Sequence, residues 1–405
     1  MSSRLLAFAQ LTNSVGDGGY YVCSALYFTL VIGLSPAQVG LGLTLAWGVG
    51  SVAGVALGHV ADRHGPRGTA VVLALATAVA IGSLLFVRSF PLFVLAVCVY
   101  ASVQSGLAAA RQALLAALVA PDERTKARAR LQSTSNAGIA IGAAFGGLAL
   151  HFGTTEAYLA VFALDAASFV VAAVILSRLP HVVGMPKQQG EPAIAVLRDR
   201  PYALISLLHA VMLLNMPLLS LIIPLWIVQR TDAPTWFASS LLVLNTVSVV
   251  LFQVRIARGA TGLGAASKLV QHSGALMLLS CGLFALSGIV TGAWTGAAAL
   301  LAAAGLQVFG EMKLASGAWE ISFSLAPADK QGQYQGFFGA GVAVARMIGP
   351  VLLTTVVLGW GAVGWLLVGV LFLGAGYAMG PAVRWAREKK SISTGASASG
   401  LMMCV

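Results

Sequence analysis

Charge is scarce in this 405-residue chain: 9% of its residues are Asp, Glu, Lys or Arg, against 58% hydrophobic ones. A water-facing surface needs roughly a quarter of its residues charged. A mean hydropathy of +0.88 therefore excludes soluble enzymes, nucleic-acid-binding domains and disordered chains together. Cysteine is scarce as well. Cys23, Cys98, Cys281 and Cys404 stand apart without C-x-x-C spacing, which excludes a disulfide framework and a structural metal centre. The sequence contains no G-x-x-x-x-G-K-S/T loop for ATP, no H-E-x-x-H motif and no nucleophile–base spacing on adjacent turns. Neither an enzyme nor a cofactor is expected. The strict apolar–polar alternation of a membrane β-barrel is also missing.

What the sequence has is continuous apolar runs of about twenty residues, the length of a helical span. They fall at Phe8–Ile32, Val39–Gly58, Thr69–Val87, Leu92–Ala110, Leu131–Leu150 and Ala157–Leu176. Six more follow at Tyr202–Val228, Phe237–Val254, Leu269–Val290, Trp294–Ala315, Gly336–Val357 and Ala362–Met379. The prediction is an all-α integral membrane protein with twelve helices in two six-helix bundles. Residues 1–178 form the first bundle, 179–201 a linker, 202–383 the second bundle and 384–405 a partly disordered Ser/Gly/Ala-rich tail. Arg4 precedes an apolar stretch interrupted by Asn13 and Asp17 with no clear cleavage site, so the first run reads as a retained span.

Lys and Arg are distributed asymmetrically. With the N-terminus inside, twenty of the 24 fall on inward segments, among them Arg63, Arg67, Arg111, Arg124, Arg128 and Lys187. Outward loops hold only Arg88 and Arg230, while Lys313 and Arg346 lie within spans. By the positive-inside rule both termini are cytoplasmic. The same bias accounts for the formal net charge of +11 without nucleic acid.

The halves resemble each other. Val119-Ala120-Pro121-Asp122-Glu123-Arg124 is matched half a chain later by Leu325-Ala326-Pro327-Ala328-Asp329-Lys330. Repeats of this kind build alternating-access carriers, with the site at the interface of the halves. Between the second and third spans stands Gly58-x-x-x-Asp62-Arg63-x-Gly65-Pro66-Arg67, with Pro66 where a basic residue is commoner. It resembles the loop signature of the major facilitator superfamily. Gly65 suits a tight return, Asp62 suits the positive end of a helix, and Arg63 and Arg67 can pair with neighbouring carboxylates. The resemblance implies that this cluster clasps the halves in the outward-facing state. Gly138-x-x-x-Gly142-Ala143-x-x-Gly146-Gly147 resembles the fifth-span signature of exporters in that superfamily, with Ala143 in place of proline. Glycines every fourth residue allow another helix to approach closely. The fourth span matches poorly: the family's arginine falls at Ala101, beside Gln104, and Arg111 lies further along.

Charge inside a span demands a reason, at about 2.5–3.5 kcal/mol or more per ionised group. Asp17, flanked by Gly16, Gly18 and Gly19, falls near mid-membrane and is the expected proton-exchanging carboxylate. Bonding to Asn13 or Tyr20 is its structural alternative. Glu311 and Arg346 fall at similar depth on neighbouring spans, so the geometry allows an ion pair between them, as a coupling switch or a static clasp. Asn13, Tyr20, Tyr21, Gln104, Asn215, Trp226 and Asn245 are candidates for a substrate cavity. Pro217 and Pro224 interrupt the seventh span.

These readings converge on a monomeric secondary transporter of the plasma (inner) membrane, similar to bacterial drug:proton antiporters. Its partners are protons, the lipid bilayer and a small apolar or cationic compound to be expelled. The rivals are a proton-coupled importer of a small metabolite and a non-transporting membrane sensor.

Overall fold

The computed structural model describes residues 2–185 and 194–402, with side chains as far as Lys390; Lys187 and Cys404 lie outside the described residues. The described residues form helices and turns and contain no strand. We number the long helices α1 (Ser2–Leu26), α2 (Pro36–His64), α3 (Pro66–Leu84), α4 (Phe90–Leu118), α5 (Arg124–Phe152) and α6 (Thr155–Ser177). In the second half they are α7 (Arg200–Arg230), α8 (Phe237–Ala257), α9 (Gly262–Ser287), α10 (Ala293–Leu325), α11 (Gln331–Leu353) and α12 (Ala362–Met402). Eleven are long and apolar enough to cross a membrane; the exception is α1, whose 25 residues include Gln10, Asn13, Ser14 and Asp17. Those polar residues belong to the site described below.

Local signals set the helix ends. Ser35 caps α2 by accepting from the Gln38 N–H while the Gln38 side chain accepts from the Ser35 N–H, a reciprocal capping box. Proline opens α2, α3 and α4 within the first two positions, where its missing N–H costs nothing. The whole turn from α2 to α3 is Gly65, at φ +93°, and a side chain there would press on the Val182 carbonyl at 2.5 Å. The chain breaks within α7 after Met212 and runs through a π turn at Leu218–Ile222, with Pro217 before it and Pro224 after it. The last helix continues through Met402, so the Ser/Gly/Ala stretch extends α12 where an irregular tail was expected. No proline intervenes there, and each added residue keeps one helical hydrogen bond.

Each half buries its own core. Phe28, Phe93, Phe162 and Tyr27 anchor the first, and Trp365, Phe284, Phe372 and Tyr202 the second. Among the described residues, Phe323 and Val55 cross into the opposite core, and the half-buried Trp319 packs against the first. The repeat seen in the sequence has a local counterpart: Pro121–Glu123 and Ala328–Lys330 each form one 3₁₀ turn leading into the next long helix.

α1 lies against α5 through the glycine stripe. A Cβ at Gly138 would sit 2.8 Å from that of Ser14, one at Gly146 would sit 2.8 Å from that of Val22, and one at Gly142 would collide with the Val15 carbonyl. Gly147 does not belong to this stripe. It is exposed, and a Cβ there would meet nothing within 4 Å, because one residue turns the helix by about 100°.

Candidate functional site

Four helices carry polar residues toward one another, on α1 and α5 at the three- and four-residue spacing that aligns side chains along one face. On α1 they are Gln10, Asn13, Asp17 and Tyr21; on α4, Gln104, Arg111 and Gln112. α5 contributes Arg128, Gln132 and Ser135, and α11 contributes Gln335 and Arg346. These faces enclose a cavity of about 450 Å³ between the two halves. Trp47, Trp319, His209 and Phe338 complete its wall.

Asp17 is 8% exposed and sits in a hydrogen-bonded chain. Asn13 Nδ2 donates to Asp17 Oδ2 at 3.4 Å and Gln104 Nε2 to Oδ1 at 3.2 Å. Asn13 Oδ1 accepts from Arg111 Nη2 at 3.1 Å, so a guanidinium stands one side chain from the carboxylate. Gln10 ties the same Arg111 to Ser14 and Ser135, linking α1, α4 and α5. Arg346 lies over the Trp47 ring, 4.4 Å from its centroid, and Arg128 over Trp319 at 5.4 Å. His209 is stacked on Phe338 at 4.3 Å with its Nδ1 buried and unbonded.

One end of the molecule is clasped shut. Asp62, at the end of α2, accepts from the Gly332 N–H at 2.6 Å and the Gln333 N–H at 2.8 Å. Those groups open α11, where backbone N–H groups lack helical partners and the dipole favours an anion. Gly58 packs directly on Gly332 and Gly54 on Gly336, so two backbones meet beneath the clasp. Across the same end Thr125 Oγ1 donates to Glu320 Oε2 at 2.6 Å, and Ser324 Oγ to Oε1 at 3.1 Å. Arg63 donates to the Met185 carbonyl and Arg67 to the Ser177 carbonyl, at the end of α6. For Arg67 a helix C-terminus, not a carboxylate, is the partner.

Several sequence-derived candidates lie elsewhere. Glu311 and Arg346 are not paired: Glu311 Oε2 accepts from Asn245 Nδ2 at 2.9 Å between α10 and α8, while Arg346 points onto Trp47. Similar depth on adjacent helices did not put them on facing sides. Asn245 therefore belongs to the Glu311 contact and not to the cavity wall. Asn215 is buried at the break in α7, donating to the Met212 carbonyl and accepting from Gln307 at its own carbonyl. Trp226 is buried in the second core, donating to Ser287 Oγ with its ring edge-on to Trp365. Tyr20 packs among Tyr21, Tyr100 and Phe162 and lines a second compartment of about 340 Å³ that adjoins the first.

Arg128, Gln132, Trp47, Trp319 and His209 escaped the sequence reading. Arg128 counted there as a loop residue, but α5 begins at Arg124, a full two turns before the apolar run. The available signal was its spacing: 128, 132 and 135 recur on one face.

Two six-helix halves closed over a polar, charged cavity between them define a membrane transporter and not an enzyme. The chain belongs to the Major Facilitator Superfamily, whose family model matches residues 6–350. No curated protein matches it. Among solved structures it is similar to a bacterial homologue of the iron transporter ferroportin in an outward-facing state, with TM-score 0.75 and 14% identity, covering 96% of this chain and 100% of that one. The human organic anion transporter TETRAN gives 0.71 and 15%, covering 93% and 98%. A proton:xylose symporter gives 0.69 and 14%, covering 93% and 94%. At such identities the likeness establishes the fold alone.

Proposed function

We propose that this protein is a proton-coupled secondary transporter that works by alternating access and expels a small compound across the plasma (inner) membrane. The observation that carries it is Asp17: a buried carboxylate on the cavity wall, bonded by Asn13 and Gln104, with Arg111 one side chain away. A carboxylate so placed takes up and releases a proton as the cavity opens to either side in turn. The Asp62 clasp and the Thr125–Glu320 bond hold one end shut; breaking them opens that end. The Lys and Arg bias supports a cytoplasmic location for that end and for both termini. Export is supported by the exporter-type glycine stripe on α5, which seats the very helix that carries Asp17. The protein acts as a monomer in the bilayer on this reading.

A second reading, cotransport of substrate and proton in one direction, is favoured by a different observation. Three guanidiniums face the cavity against one carboxylate, which argues for a negatively charged cargo and against the cationic one that the sequence suggests. A proton and an anion bind such a site together more readily than in exchange.

The test is proton movement in liposomes holding the purified protein and an interior pH dye, challenged with lipophilic cations and organic anions. Substrate-evoked proton flux that Asp17→Asn abolishes is expected. Opposed fluxes of substrate and proton establish export by exchange, and parallel fluxes establish cotransport. Flux that Asp17→Asn leaves intact refutes the assigned role of Asp17.

A further inference from the structure

The charge in the central cavity is unbalanced. Arg111, Arg128 and Arg346 face it from three helices, and among the described residues Asp17 is the only carboxylate in its lining. No ion pair engages any of the three arginines among the described residues. Their partners are neutral. Arg111 donates to the Asn13 and Gln10 carbonyl oxygens and has its Nε buried without a partner. Arg346 and Arg128 rest on the faces of Trp47 and Trp319. An indole face engages a guanidinium without using its N–H donors, which stay available to an oxyanion; the Tyr21 side chain also reaches Arg346. Cations within a membrane span are expensive unless a counter-charge meets them, and the protein supplies one negative charge for three positive ones.

A second feature describes the rest of the ligand. The adjoining compartment of about 340 Å³ is walled by Tyr20, Tyr100, Leu43 and Val97, and it shares Tyr21, Trp47 and Arg346 with the polar cavity. Aromatic and aliphatic side chains there suit an apolar body. Arg346 stands where the compartments join, at the point where such a body would meet a charged head.

We propose that the cargo is a small amphipathic organic anion: an oxyanion head, such as a carboxylate, held by Arg346 in the positive field that Arg111 and Arg128 add to the cavity, and an aromatic or aliphatic body in the tyrosine-lined compartment. This deepens the transporter reading and rests on it for the word cargo, but the binding claim stands on its own geometry.

The experiment compares three bicyclic probes of one shape on the purified full-length protein by calorimetry: 2-naphthoate, 2-naphthylmethanol and 2-naphthylmethylammonium. Benzoate and decanoate extend the carboxylates to smaller and longer bodies. Carboxylate binding at least tenfold tighter than the alcohol, with the ammonium weakest, is expected. Arg346→Gln lowers carboxylate affinity at least tenfold, Arg346→Lys restores part of it, and Arg88→Gln, on a loop away from the cavity, changes nothing. Melting of each variant in detergent separates lost binding from lost folding; should Arg346→Gln not fold, Arg128→Gln serves in its place. Equal or tighter binding of the ammonium, no binding of any carboxylate, or Arg346→Gln and Arg128→Gln both binding as the parent overturns the proposal. Liposome flux keeps the two claims apart. Carboxylate binding without flux of any compound sinks the transporter reading and spares the anion site; flux of cations with carboxylates ignored does the reverse.

Discussion

Asp62→Asn tests the clasp directly, because the substitution keeps shape and removes charge. Asp62 accepts from two backbone N–H groups at 2.6 and 2.8 Å, both at the first turn of α11. Asparagine offers one acceptor oxygen and turns an NH₂ toward the second donor. A hydrogen bond to a charged group contributes about 1.5–3 kcal/mol, and a negative charge at a helix N-terminus about 0.3–1 kcal/mol more. The clasped state therefore loses about 2–4 kcal/mol, roughly 30- to 700-fold in the equilibrium between the two openings. Spin labels at Glu123→Cys and Lys389→Cys, exposed positions on opposite halves, report the separation of that end once the native cysteines are replaced. Asp62→Asn should move the distance distribution toward longer values, and Asp122→Asn, on the exposed turn before α5, should not. An unchanged distribution refutes the view that these two bonds hold the halves together, whatever happens to transport.

Two further outcomes follow from contacts between neighbouring helices. Gly142→Ala forces a methyl onto the Val15 carbonyl and should destabilise the protein by about 1–3 kcal/mol, the usual range for overpacking. Gly147→Ala meets open space and gains up to about 1 kcal/mol of helix propensity; melting curves in detergent that moved both variants the same way would break this account of the stripe. Glu311→Gln keeps an oxygen to accept from Asn245 and lies off the cavity, so proton flux in liposomes should stay close to that of the parent. A loss as complete as that of Asp17→Asn would return Glu311 to the coupling path.

The fold was legible because it rests on properties that add along a segment: apolar run length, the helix-breaking residues between runs and the duplicated Pro-containing turns. The glycine signatures were legible too, since close backbone approach leaves few alternatives to glycine at Gly58 or Gly142. The cavity was legible only in part. Asp17, Asn13, Tyr21 and Gln104 stand out as polar residues in apolar runs and do line it. Asn215, Trp226 and Asn245 stand out equally and do not, because depth along a helix says nothing of which way it faces. Arg128 was hidden by its proximity to a charged loop, and Trp47 by its ordinary place in an apolar run. Rotational phase was the missing quantity. Counting threes and fours from Asp17, as the helix repeat requires, reaches Gln10, Asn13 and Tyr21; the same count on α5 reaches Arg128.

Phase also brings Asp17 and the arginines into one chamber, where the direction of coupling can be tested through binding. Arg111 and Arg346 lie within Coulombic reach of Asp17, so an ionised Asp17 and an anionic cargo repel each other and draw on the same guanidiniums. A unit charge about 7 Å from a bound oxyanion, at an effective dielectric of about 20, is worth about 2 kcal/mol, or roughly thirtyfold in affinity. Asp17→Asn is a neutral stand-in for the protonated carboxyl. If cargo and proton are carried together, it should bind 2-naphthoate up to about thirtyfold more tightly than the parent at neutral pH; if they are exchanged, as the proposed export requires, it should bind no more tightly. Tighter binding means that cargo and proton occupy the carrier together, and cotransport follows. Unchanged or weaker binding means that the proton releases the cargo, and the exchange that an exporter needs is restored.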